Sequence, residues 1–159
     1  MKFRFVFSIL FFLTSTLHAS EGSLRSVGLE TTDSSGCYVT DGKGMVAPTI
    51  TVMVEAYGKH PRLSNDRILS VIQVASNAGC DMHVTDNVGL TPLNAAILFN
   101  EPELVSFLIS KGSDPKKIIR SPKQYLNGLN SYQLLELLIN KDKATNRDSI
   151  HKVLNKKHA

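Results

Sequence analysis

Tryptophan is absent and cysteine appears only twice. Phenylalanine is scarce where it matters: five of seven, Phe3, Phe5, Phe7, Phe11 and Phe12, crowd the N-terminus. Beyond them only Phe99 and Phe107 remain, so a core must come from Leu, Ile, Val and Ala. That composition suits helices packed through small residues. Chemistry-bearing motifs are also missing. No Gly-x-Ser-x-Gly elbow occurs, which excludes the usual serine-hydrolase nucleophile turn. The DGKG stretch, Asp41 to Gly44, is not a phosphate loop, because Gly44 follows Lys43 where that loop needs Ser or Thr after Gly-Lys. His60, His83, His151 and His158 share no metal-ligand spacing, and two cysteines make no zinc site by themselves. Neither a metal nor any other cofactor is expected.

The one apolar run, Phe5 to Leu17, covers thirteen positions, four of them hydroxylated (Ser8, Thr14, Ser15, Thr16). A spanning helix needs about 20 apolar residues. With Lys2 and Arg4 before it and Ala19 and Ser20 after it, the run reads as a secretory signal peptide over residues 1–19. No cysteine sits at the cleavage site, so no lipid anchor and no stable membrane attachment are expected. Removing this segment takes the net charge from +4 to +2, with 16 basic and 14 acidic residues left. The high pI is then no argument for nucleic acid. Export, to the periplasm in a cell with two membranes, brings oxidising conditions. Cys37 and Cys80 become candidates for a disulfide, with two separate thiols as the alternative. A bridge closing so long a loop stabilises by roughly 4 kcal/mol at most in the chain-entropy model.

Residues 20–45 hold five of ten glycines and few large apolar groups, and read as an irregular N-terminal arm. Within it, CYVT-DGKG-MVA has the turn chemistry of a short hairpin. From residue 46 the pattern is helical. Gly79 and Gly112 are 33 residues apart, as are Asp81 and Asp114. A second match, offset by 30, sets Thr91-Pro92 over Ser121-Pro122, and Leu104 and Leu108 over Leu134 and Leu138. Each unit reads as two short antiparallel helices. Thr91 caps the first and Pro92 takes N1, where no N–H is needed. Leu104, Val105, Leu108 and Ile109 stripe the second, and Gly112 ends it. Glu101 and Glu103 lie at a helix start, where carboxylates favour the dipole.

The stretch GCDMHVTDNVGLTPLNAA…LVSFLISKGSD resembles an ankyrin repeat, whose pattern runs Gly-Ala-Asp, a turn, Asp-x-x-Gly-x-Thr-Pro-Leu-His-x-Ala, then Val-x-x-Leu-Leu. The match is most specific over 79–114, fair over 115–142 and weak over 46–78. Asn94 stands where the family usually has His. Pro48 and Pro92 are 44 apart, so a loop around GKHPRLSND is inserted. The resemblance implies an all-α ankyrin-repeat solenoid over 46–159. It has about three helix-turn-helix repeats (about 46–80, 81–113 and 114–142), a capping helix at 145–157 and the irregular arm before them. It also implies a concave face, built from turn tips and short helices, that binds another protein. The family's variable contact positions fall on Asn87, Val88, Leu90, Leu98 and Phe99, and in the next unit on Arg120, Gly128 and Leu129. Val88, Leu90, Leu98 and Phe99 are apolar where the scaffold does not require it.

The function expected is a non-enzymatic exported binding protein, in its sharpest form an immunity-type inhibitor that neutralises a toxic enzyme. An accessory or protective factor for a resident envelope enzyme fits the same residues. A small hydrolase using His83 or His151 is the alternative from another class. The basic cluster Lys116, Lys117, Arg120 and Lys123 reads as a solvated edge or a site for an acidic partner.

Overall fold

Residues 30–48 are not irregular. In the computed structural model, which describes residues 22–156, they make a three-stranded antiparallel sheet. Its strands are β1 (Glu30–Thr31), β2 (Tyr38–Thr40) and β3 (Val46–Pro48), in the order β1-β2-β3. The register sets Tyr38 against Pro48, Val39 against Ala47 and Thr40 against Val46. Asp41 turns the hairpin by accepting the Lys43 and Met45 N–H groups at 2.8 and 3.1 Å. Val39 enters the core with no exposure, and Leu24, from a helical turn at 22–25, is buried beside it in the same core. The fold is therefore mixed α/β, not all-α. The strands are only two or three residues long, too short to leave a period-two pattern beside six longer stretches of helical period. The signal segment expected at 1–19 lies outside the described residues.

Cys37 and Cys80 are bridged, with 2.06 Å between sulfurs and 5.2 Å between Cα atoms. The bridge joins the start of β2 to the turn after the second helix. Beside it, Thr49 donates from its hydroxyl to the Gly36 carbonyl at 2.6 Å and from its N–H to the Cys37 carbonyl at 2.9 Å. The sheet thus leads straight into α1 (Thr49–Ala56), and Pro48 ends β3 in extended backbone at the position just before that helix.

Helix α2 (Asn65–Asn77) starts at Ser64, whose hydroxyl accepts the Arg67 N–H, and buries Ile68, Val71, Ile72 and Ala75. Helices α3 (Pro92–Leu98) and α4 (Pro102–Ser110) form the clear unit. Thr91 caps α3 by accepting the Asn94 N–H, and Pro92 occupies its first turn. Between them Asn100 takes φ +61°, a left-handed value that asparagine tolerates better than most residues. Helix α5 (Ser131–Lys141) opens on a capping box in which Asn130 and Gln133 satisfy each other's backbone N–H groups. Helix α6 (Asp148–Asn155) follows. Thr145 does not cap it. The Thr145 hydroxyl turns to Asp142 at 2.5 Å, and Asn146 accepts the Asp148 N–H at 2.8 Å. Among the described residues no helix is long and apolar enough to cross a membrane.

The helices pack as α1 on α2 and α3 on α4, with α1 on α3, α3 on α5, and α4 on α6. So α5 continues the row of first helices, and α6 lies against a second helix. The helix expected to open at Ser121 does not form; residues 121–129 are turns. Gly128-Leu129-Asn130-Ser131 instead takes the role that Gly89-Leu90-Thr91-Pro92 plays one unit earlier. Local bonds explain the difference. The Ser121 hydroxyl accepts the Lys123 N–H at 3.0 Å while the Asn127 side chain takes the Ser121 N–H at 3.1 Å. Such side chain to backbone bonds compete with helix formation.

Candidate partner-binding face

Two loops and one short helix hold the residues singled out for contact. The first loop is a closed turn. Asp86 accepts the Val88 and Leu90 N–H groups, each at 2.8 Å, and its own N–H donates to the Leu90 carbonyl at 3.0 Å. Asn87 is exposed at its tip and Val88 is half-buried against the core. Leu90 is buried, 5% exposed, and belongs to the core. It offers no contact surface, because the residue before the Thr91 cap must pack inward for α3 to dock.

The second loop lies against the first. The Ser121 hydroxyl donates to the Val88 carbonyl at 2.5 Å. Gly89, at φ +87°, meets the same segment so closely that a Cβ there would strike the Arg120 carbonyl oxygen and come within 2.9 Å of the Ser121 Cα. The loop closes on itself through the Ile119 N–H to the Leu129 carbonyl at 2.7 Å and the Gly128 N–H to the Ile119 carbonyl at 2.9 Å. Arg120 and Gly128 are exposed, and Leu129 is half-buried.

Leu98 and Phe99 sit at the other end of α3, roughly 10 Å from the first loop at 1.5 Å per residue. Leu98 is 39% exposed. Phe99 is half-buried, with the Lys59 ammonium 3.1 Å from its ring centroid, a cation–π contact across to the segment after α1. The structure therefore brings Asn87, Val88 and Arg120 together, and places Leu98 and Phe99 apart from them along the helix.

Two buried polar groups hold this arrangement. Asn94 accepts a hydrogen bond from the Ser131 hydroxyl at 2.7 Å, and both are buried to 1%. Asparagine in the position of the family's His thus ties α3 to the start of α5. Arg147 is buried too, and donates from Nη1 to the Ile97 carbonyl at 2.8 Å and from Nη2 to the Leu98 carbonyl at 3.5 Å. Its cation lies on the carbonyl end of α3, the negative end of the helix dipole. Asn100 adds a bond from its amide to the Asn146 carbonyl at 3.1 Å. No sequence motif marks Arg147, since its role depends on a contact 50 residues away.

The candidates for chemistry are placed otherwise. His83 is half-buried in a turn where its backbone N–H donates to Asp81 at 2.8 Å. His151 is exposed on α6, its ring beside the Asn155 amide at 3.2 and 3.3 Å. An amide supplies neither a base nor a nucleophile. Tyr57 is buried and reaches Glu103 at 3.4 Å; burial, then the charges of Glu103 and Glu101, push its hydroxyl above the usual tyrosine range. Among the described residues no three His, Cys, Asp or Glu side chains gather to hold a metal.

The chain is 31% identical over 100 residues to an ankyrin repeat protein of fowlpox virus (strain NVSL). That likeness points to ankyrin-like repeats. The alignment covers 56% of this chain and 23% of the viral protein, so the chain spans about a quarter of that relative's length. No family model and no solved structure matches. An ankyrin-like stack in turn points to a module for protein–protein interaction.

Proposed function

We propose that this chain is a non-enzymatic protein-binding module, exported to the periplasm, that acts as an immunity-type inhibitor by covering the active site of a toxic enzyme. The observation that carries the binding role is the state of Leu98. It stays 39% exposed at the end of a helix whose other apolar side chains are buried, and Arg147 and Asn100 hold that end still. With half-buried Phe99 beside it, Leu98 gives that end of the helix an apolar surface for a partner to cover. The Cys37–Cys80 bridge suits an oxidising compartment, which supports export.

The test uses the full chain as bait in an envelope extract, followed by assay of the recovered enzyme. Loss of that enzyme's activity on binding is the expected result. Full activity of the bound enzyme would instead make the chain an accessory factor. Leu98→Glu is expected to abolish recovery with an unchanged melting temperature. Hydrolytic activity of the chain alone, lost in a His83→Ala, His151→Ala double variant, would overturn the non-enzymatic reading.

A further inference from the structure

The connection between α4 and α5 is longer than its equivalent. Fourteen residues separate α2 from α3, and twenty separate α4 from α5. The added length is ordered. Ile119 and Leu126 anchor it in the core, at 1% and 7% exposure. Bonds to Val88, Leu129 and within the loop brace it. Past Asp114, which accepts the Lys116 N–H at 2.8 Å, what it displays is of one kind. Lys116, Lys117, Arg120 and Lys123 are all exposed, and residues 115–129 contain no acid. The remaining described residues hold eleven basic and thirteen acidic side chains, so the excess positive charge of the described chain is confined to this loop. Between the cations, Ile118 and Tyr125 are 52% and 57% exposed. Lys141 from α5 lies 4.4 Å from the Tyr125 ring centroid and adds a fifth cation at its border.

We propose that the 115–129 loop docks an acidic protein surface, with Lys116, Lys117, Arg120 and Lys123 meeting carboxylates and Ile118 and Tyr125 meeting apolar groups among them. This rests on the reading of the chain as a protein-binding module and names the chemistry of the partner. Charge of one sign on a braced loop sets both attraction and register, because like charges on a wrong partner are repelled. Tyr and Arg are enriched at the centre of such contacts and Lys is depleted there, which puts Tyr125 and Arg120 at the centre and the three lysines at the polar rim. Bracing favours a protein over a lipid surface. A lipid headgroup layer accepts any arrangement of cations, whereas this loop fixes two apolar groups among four charges. The Ser121 bond to Val88 also sets it beside the other contact loop.

The probe is a synthetic peptide alternating Glu with Tyr and Leu, added to the isotopically labelled full chain and followed by NMR. Its Gln counterpart, phosphatidylglycerol vesicles and oligothymidylate serve as comparisons. The acidic peptide is expected to shift resonances of residues 116–125, to weaken as salt rises, and to lose at least about tenfold affinity in the K116E/K117E/R120E/K123E variant. Should that variant fail to fold, Lys116→Gln with Lys123→Gln is read in the same way. Equal binding of the Gln peptide, shifts confined to other segments, or tighter binding to vesicles or oligothymidylate would overturn the proposal. A recovered partner enzyme lost by Leu98→Glu but kept by the charge-reversed loop would overturn it too, while leaving the binding-module reading intact.

Discussion

Gly89 occupies a place where a side chain fits neither by conformation nor by space. Its φ of +87° is left-handed, and the Arg120 carbonyl lies where a Cβ would go. Gly112 has a similar φ of +97° with nothing near its missing Cβ. Gly112→Ala is therefore expected to cost about 1 kcal/mol from conformation alone, and Gly89→Ala about 2 kcal/mol more. Urea unfolding of the two variants checks the difference; equal costs would mean the loops can part freely. Arg147 offers a second test. Arg147→Met keeps much of the stem's bulk but removes the charged donors from the Ile97 and Leu98 carbonyls, for an expected loss of about 1–3 kcal/mol. Asp142 supplies a pH test. The Thr145 hydroxyl, then the Ala144 and Thr145 N–H groups and the Arg147 charge, hold its carboxyl below its ordinary 3.8. Its contribution is present above that value and lost as pH falls through the lower folded one. The melting temperature should fall below about pH 4, and less steeply in Asp142→Asn.

At the scale of elements, the clear unit was legible because each signal was local: Thr91 and Pro92 for a start, Leu104 to Ile109 for a face, Gly112 for a stop. The third unit was misleading for an equally local reason. Ser121-Pro122 looks like Thr91-Pro92, yet Ser121 spends its hydroxyl on Val88 and Lys123, and the working cap is Asn130 with Gln133. The match of Gly128-Leu129-Asn130 to Gly89-Leu90-Thr91 was present in the sequence at a longer offset. The sheet was readable as a hairpin but not as a class-changing element, since β1 pairs only two residues. Leu90 packs into the core ahead of the Thr91 cap, a contact that its place in the sequence does not reveal. The sheet's hold on α1 and α2 is testable. Cys37→Ser with Cys80→Ser is expected to cost up to about 4 kcal/mol, the chain-entropy value for a loop of this size. Amides of 38–40 should then exchange faster than those of α3 and α4, and equal exchange would show that packing alone holds the sheet.

Over the whole molecule, the buried and the exposed large apolar side chains are set apart. Leu93, Ile97, Leu104 and Leu108 are closed off in the core, while Leu98, Ile118 and Tyr125 are left outside by elements that are themselves braced. Leu98→Glu should thus alter unfolding free energy by no more than about 0.5 kcal/mol, as for most exposed sites. A loss of several kcal/mol in thermal denaturation would place Leu98 in the core. The disulfide has a consequence for the order in which such a molecule comes into being. The ring closed by Cys37 and Cys80 encloses α1 and α2 whole and nothing that follows them. A chain emerging N-terminus first from a narrow channel presents both thiols while the later helices are still inside. Once they join, a finished end plate exists before its neighbours arrive. Stacks of repeats can nucleate anywhere along their length; in a chain with ankyrin-like repeats, a bridge around the first two helices favours that end as the first layer.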